Sequence, residues 1–127
     1  MLSRASATTM IPVVDLERAR RFYEGALSLP AASMQPNGNA VYSLNGATVA
    51  LYQRATPTTA DHTALSFEVE DVRREMGALR ERGVVFENYD LPGLKTEEGV
   101  CVLGSEKAAW FKDTEGNILC IHEDSKR

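Results

Sequence analysis

The residues in this 127-residue chain that could do chemistry are few, and each can be weighed singly. Its histidines are His62 and His122, and its thiols are Cys101 and Cys120. Cys120 and His122 alternate on one face of a strand-like run, and His62 opens another such run that carries Ser66 and Glu68. Three such donors aimed at one point could hold a divalent ion. A thiol beside a cation could act as a nucleophile, and a carboxylate in a cleft could serve as a base or hold a cationic ligand. Each has a plainer reading. His62 reads as a polar residue at a strand start, Glu68 as a solvated strand-end carboxylate, and Cys120 as a small apolar filler. If the two strands run parallel, His62 and His122 are offset by about four residues, roughly 13 Å, and cannot share an ion; if antiparallel, they can meet.

These side chains need a frame, and the sequence describes one twice. Residues 8–14 alternate as a strand, Asp15 follows as an N-cap, and Leu16, Ala19, Phe22, Tyr23 and Leu27 recur at helical spacing. Two further strand runs, 40–44 and 47–53, flank Asn45-Gly46, a strong hairpin signal. Residues 54–61 carry polar and turn residues with no period and read as a connector. A second round then begins: strand 63–71, the N-cap Asp71, and a helix with Val72, Met76 and Leu79 on its apolar stripe, closed by Gly83. Strand-like runs follow at 84–91, 99–104, 107–113 and 117–123, the last pair turned at Glu115-Gly116. Phe22, Leu27, Phe67 and Met76 are expected in the core. Residues 88–99, with Pro92 and two glycines, form a loop that either lies on the surface or lids a cleft. Asp15 and Asp71 stand 56 residues apart in equivalent places, so the chain reads as an internal duplication within one domain: module one 6–53, connector 54–61, module two 62–125.

Composition removes several function classes. The net charge of −4 comes from scattered residues, and no basic run is longer than the two residues of Lys126-Arg127, which argues against nucleic acid as a partner. No apolar stretch approaches the roughly 20 residues of a membrane span, and the N-terminal residues lack the apolar segment of a secretory signal. A cytoplasmic location with reduced, buried thiols is the resulting expectation.

Three segments carry a resemblance: VVDLERARRFYEGALSLP (13–30), SFEVEDVRREMGALRERGV (66–84) and WFKDTEGNILCIHE (110–123). Together they resemble the glyoxalase, bleomycin resistance and extradiol dioxygenase superfamily, also called vicinal oxygen chelate. The resemblance implies an α+β fold of two βαβββ modules with curled mixed sheets around a shared cleft, often completed by a homodimer. In catalytic members of that family a metal sits in the cleft, held by the first and last strand of each module. The family's histidine precedes the capping aspartate by seven residues, which reaches Thr8 and Ala64; its acidic ligand follows the turn glycine by four, which reaches Ala50 and Cys120. Of these four only Cys120 can bind metal, too little for a mononuclear centre of this kind.

The expectation is therefore a metal-free binder without a cofactor, holding a small hydrophobic or aromatic molecule in a cleft lined by Met10, Tyr42, Tyr52, Ser66, Glu68, Trp110 and Cys120. Two alternatives stay open. One is an enzyme, either a metal-dependent lyase, isomerase or dioxygenase with shifted ligands or a metal-free catalyst using Glu68 or a histidine. The other is a dimerising scaffold whose cleft is filled by Met10, Trp110 and the tyrosines.

Overall fold

The computed structural model describes residues 1–124; the Lys126-Arg127 pair and residue 125, the expected end of module two, lie outside the described residues. Strand β1 (Thr9–Val13) runs into Asp15, whose carboxylate accepts the Arg18 backbone N–H at 3.0 Å and starts helix α1 (Leu16–Arg21). The same device recurs where β5 (Thr63–Glu68) gives way to α2 (Val72–Glu81), with Asp71 accepting from the Arg74 N–H at 3.1 Å. A side-chain oxygen that satisfies an otherwise orphaned helix N–H is the physical reason both helices begin where they do. Helix α1 does not run on regularly: residues Phe22–Ala26 form a π-helical turn, which ends at Ser28 with φ +59°.

After α1 come β2 (Ser33–Met34), β3 (Ala40–Leu44) and β4 (Ala47–Gln53), giving a four-stranded sheet in the order β1-β4-β3-β2. After α2 come a short hairpin, β6 (Asp90–Leu91) and β7 (Leu94–Lys95), and then β8 (Cys101–Leu103), β9 (Glu106–Lys112) and β10 (Ile118–Asp124). The second sheet has the order β5-β10-β9-β8. In each sheet the first strand of the module pairs parallel with the last, and the remaining pairs are antiparallel. The molecule is an α+β fold of two like modules with two open four-stranded mixed sheets.

Two expectations need correction. The run 84–91 is not one strand: Val84 and Phe86 are buried, but only a single bridge joins Phe86 to Phe111, and Asp90–Leu91 pair with β7 in a separate hairpin. Its apolar residues anchor a loop to the core instead of entering the sheet. Within β5, Thr63 pairs with Ile118 and Leu65 with Leu119, so Ala64 is an extra residue in a bulge and packs against the core. Strict alternation through 64, 66 and 68 therefore breaks at Ala64.

One apolar cluster joins both sheets and both helices, taking Ile11, Tyr42 and Leu51 from one module and Met76, Phe111 and Ile121 from the other. Each such buried side chain contributes roughly 1.5–3 kcal/mol of transfer free energy. Gly99 (φ +86°) touches this core so closely that a Cβ there would lie 2.9 Å from the Met76 methyl carbon, which reserves the position for glycine.

The modules are also pinned by a polar lock in the β9–β10 turn. The Glu115 carboxylate, fully buried, accepts from the Val14 and Asp15 backbone N–H groups at 2.9 and 3.0 Å, from the Thr114 hydroxyl, and twice from the Arg18 guanidinium. Asp113 accepts from the Tyr23 hydroxyl at 2.7 Å and from the N–H groups of Glu115 and Asn117, while Asn117 donates to the Pro12 carbonyl. These contacts hold the Glu115 carboxyl well below its ordinary 4.5, at about 2, the Arg18 bond being the largest cause. A depressed folded value means that stability from Glu115 is complete above pH 4.5 and is lost as pH falls toward 2, a swing on the order of 3 kcal/mol. Glu115→Gln should cost about 2–3 kcal/mol at neutral pH and flatten the decline of stability between pH 5 and 2.5, as read from urea midpoints against wild type. A variant with the wild-type midpoint and the wild-type acid slope would refute the lock.

Candidate functional site

The faces of the two sheets away from the helices carry the candidate residues. On β1, Met10 is half exposed and lies opposite Ala50; Pro12 lies opposite Tyr52. Tyr42, expected on the same face, goes the other way. It pairs with core Val49, is 1 % exposed, stacks on Tyr23 at 6.1 Å, and donates its hydroxyl to Glu24 at 2.8 Å. Burial and the Glu24 carboxylate push its hydroxyl pKa up, so Tyr42 is a core residue with a satisfied polar tip and not a cleft residue.

On the second sheet the strand register sets three rows of side chains across β5, β10 and β9: Thr63, Ile118 and Lys112; Ser66, Cys120 and Trp110; Glu68, His122 and Ala108. The bulge at Ala64 is what brings Thr63 onto this face, where its hydroxyl accepts the Trp110 indole N–H at 3.0 Å. Tyr89 meets the Trp110 ring edge to face at 5.7 Å. Together with Leu91 and Leu94 of the β6–β7 hairpin, these residues and Ile118 wall a cleft of about 490 Å³, rimmed by Asp61, His62, Glu87 and Lys112. The 88–99 loop therefore covers the cleft. It is closed on itself, with Asn88 accepting from the Gly99 N–H and the Thr96 hydroxyl, and Thr96 bonding both backbone groups of Tyr89.

Of the residues expected to meet a ligand, Trp110 lines this cleft, with Cys120 and then Ser66 beside it in the same row and Glu68 in the next. Met10 and Tyr52 belong to the other sheet and are not among its walls. Sequence reasoning missed Thr63, Tyr89, Leu91, Leu94 and Ile118. Apolar residues in a Pro- and Gly-containing loop were the available signal for three of them.

The family's metal positions do not fit a metal. Thr8 is exposed, Ala50 and Ala64 offer no lone pair, and Cys120 is 5 % exposed with burial pushing its thiol pKa up, opposite to what a thiolate ligand or nucleophile needs. Among the described residues no three His, Cys, Asp or Glu side chains are grouped as an ion would require. Strands β5 and β10 pair parallel, and His62 precedes the residue opposite Ile118 while His122 sits opposite Glu68, so the two imidazoles are offset along the strands. Cys101 and Cys120 are both buried and free.

No curated protein matches the chain. Among solved structures it is similar to TnmS3, an antibiotic binding protein from Streptomyces sp. CB03234, at 21 % identity and TM-score 0.69, covering 96 % of this chain and 98 % of that one. It is similar to a lactoylglutathione lyase from Agrobacterium tumefaciens at 17 % identity and TM-score 0.67, covering 97 % and 96 %. It is also similar to the fosfomycin resistance protein FosX from Listeria monocytogenes at 12 % identity and TM-score 0.70, covering 94 % and 92 %. At such identities the likeness is one of fold. The family model that matches residues 6–121 decides more, and by it the chain belongs to the Glyoxalase/Bleomycin resistance protein/Dioxygenase superfamily.

Proposed function

We propose that this chain is a metal-independent binder of a planar aromatic small molecule, seated between the second sheet and the β6–β7 hairpin. The observation that carries this reading is Trp110. Its ring is held on one side by Tyr89 and at its N–H by Thr63, and it fronts a cleft otherwise walled by Leu91, Leu94 and Ile118. A ring fixed in advance loses little entropy on stacking, and an apolar wall with a few polar rim groups is what aromatic ligands need. The likeness to an antibiotic binding protein is consistent with sequestration as the role. The two alanines at ligand positions support metal independence.

Two further parts of the proposal rest on other observations. The outer strands β2 and β8 leave sheet edges unpaired within the chain, which supports a homodimer. Buried, free cysteines support a cytoplasmic setting; no helix of the described residues is long and apolar enough to cross a membrane.

Trp110 is the only tryptophan, so its fluorescence reports the cleft directly. Titration with planar heteroaromatics such as quinolines or anthraquinones should quench it saturably. By calorimetry, Trp110→Ala should weaken binding roughly tenfold, the loss of about 1–1.5 kcal/mol of stacking. Saturable binding that Trp110→Ala and Leu94→Ala both leave unchanged would sink the assignment. Exhaustive dialysis against a chelator should leave both the affinity and the melting temperature as they were; a loss restored by Mn²⁺ or Zn²⁺ would contradict metal independence.

A further inference from the structure

Along the same face, next to the aromatic cleft, lies a cluster that ligand binding does not use. Ser66 Oγ sits 2.5 Å from His122 Nδ1, and His122 Nε2 sits 3.9 Å from Glu68 Oε1. Ser66 and Glu68 are exposed and His122 is one-third exposed, so a solute can reach all three. The strand ladder sets the arrangement: Ser66 and Glu68 alternate on one face of β5, and His122 of the adjacent parallel β10 lies opposite Glu68. A hydroxyl hydrogen-bonded to an imidazole, with a carboxylate near the second ring nitrogen, is the arrangement that activates a serine.

We propose that Ser66, His122 and Glu68 form a hydrolytic centre for short-chain aryl esters. This rests on the reading of the adjoining cleft as the seat of an aromatic group. Ser66, Cys120 and Trp110 stand in one row across three neighbouring strands, so Ser66 and Trp110 are two strand spacings apart, roughly 10 Å. A ring against Trp110 can therefore present its ester carbonyl toward Ser66.

In the productive tautomer the Ser66 hydroxyl donates to Nδ1, and Nε2 carries the ring proton on the Glu68 side. Ser66 Oγ adds to the ester carbonyl carbon while its proton passes to Nδ1. The adduct collapses by breaking the bond to the aryl oxygen, which leaves with the electron pair and takes the proton from His122. The acyl group remains on Ser66. Water then attacks the acyl carbon, giving a proton to His122; the bond to Ser66 Oγ breaks, and Oγ recovers that proton. The sum is ester plus water to carboxylic acid plus phenol. Ser66 and His122 are the catalytic residues, and Glu68, 3.9 Å from His122 Nε2, is a positioning residue that orients the imidazole.

The test uses the full chain with 4-nitrophenyl acetate, and N-(4-nitrophenyl)acetamide as an unreactive binding probe. Wild type should release a burst of 4-nitrophenol equal to one per chain, with the acetyl group found on the Ser66 peptide by mass spectrometry. Ser66→Ala and His122→Asn should lower the rate by roughly 10²-fold while binding the amide as wild type does. Glu68→Gln should lower kcat several-fold while leaving KM and amide binding as in wild type, and Glu68→Asp should recover part of the loss, because the carboxylate orients the imidazole and does not hold the ester. A wild-type rate no greater than that of Ser66→Ala, or acetyl found only on other residues, overturns the proposal. Acetylation of Ser66 without saturable amide binding would keep the hydrolytic centre and remove the aromatic cleft; amide binding without acetylation would do the reverse.

Discussion

The buried Glu115 carboxylate is the constraint on which the two-module arrangement turns. It belongs to the last hairpin of the second module, yet its oxygens serve the strand-to-helix junction of the first. Taking a carboxylate out of water costs several kcal/mol unless donors surround it, and here two backbone N–H groups, a hydroxyl and a guanidinium do so. The backbone N–H groups of Val14 and Asp15, at the entry to α1, and the buried charge thus satisfy each other. An analogous solution appears at α2, where Glu123 Oε1 accepts the Val72 N–H at 2.8 Å. With both helix starts tied to the second module's closing hairpin, the faces of the sheets away from the helices are left free for other uses.

Much of this frame was legible in the chain itself, because the deciding interactions are local. Asp15 and Asp71 cap the residue three positions on, Asn45-Gly46 turns the strands on either side of it, and β3 and β4 occupy the runs read for them. What was not legible depends on partners distant in sequence. Tyr42 looks as fit for a cleft as for a core until Val49, Tyr23 and Glu24 are seen around it. The run 84–91 has strand composition, yet its polar tail is claimed by Thr96 and Gly99, which bond Asn88 and Tyr89. The role of Glu115 was invisible because its partners lie about a hundred residues earlier.

The candidate site divides in the same way. Trp110, Ser66, Glu68 and Cys120 could be placed on one face by alternation alone. The cleft could not, since its outer wall is the hairpin carrying Leu91 and Leu94, and nothing local says which way that hairpin folds. The order of β5 and β10 was likewise open from sequence. Once it is parallel, His62 falls at the aromatic end and His122 at the polar end, which separates a rim residue from a proton acceptor.

The bulge at Ala64 bears on what substitution can do to this face as well as on its shape. Because the inserted residue packs toward the core while Thr63 takes its place over the sheet, a histidine substituted at 64 would aim its imidazole into the apolar interior. Restoring plain alternation along this face would therefore require removing a residue, and not merely exchanging one. The pleat of β5 at this point is thus set by the length of the chain, which no single side-chain replacement alters.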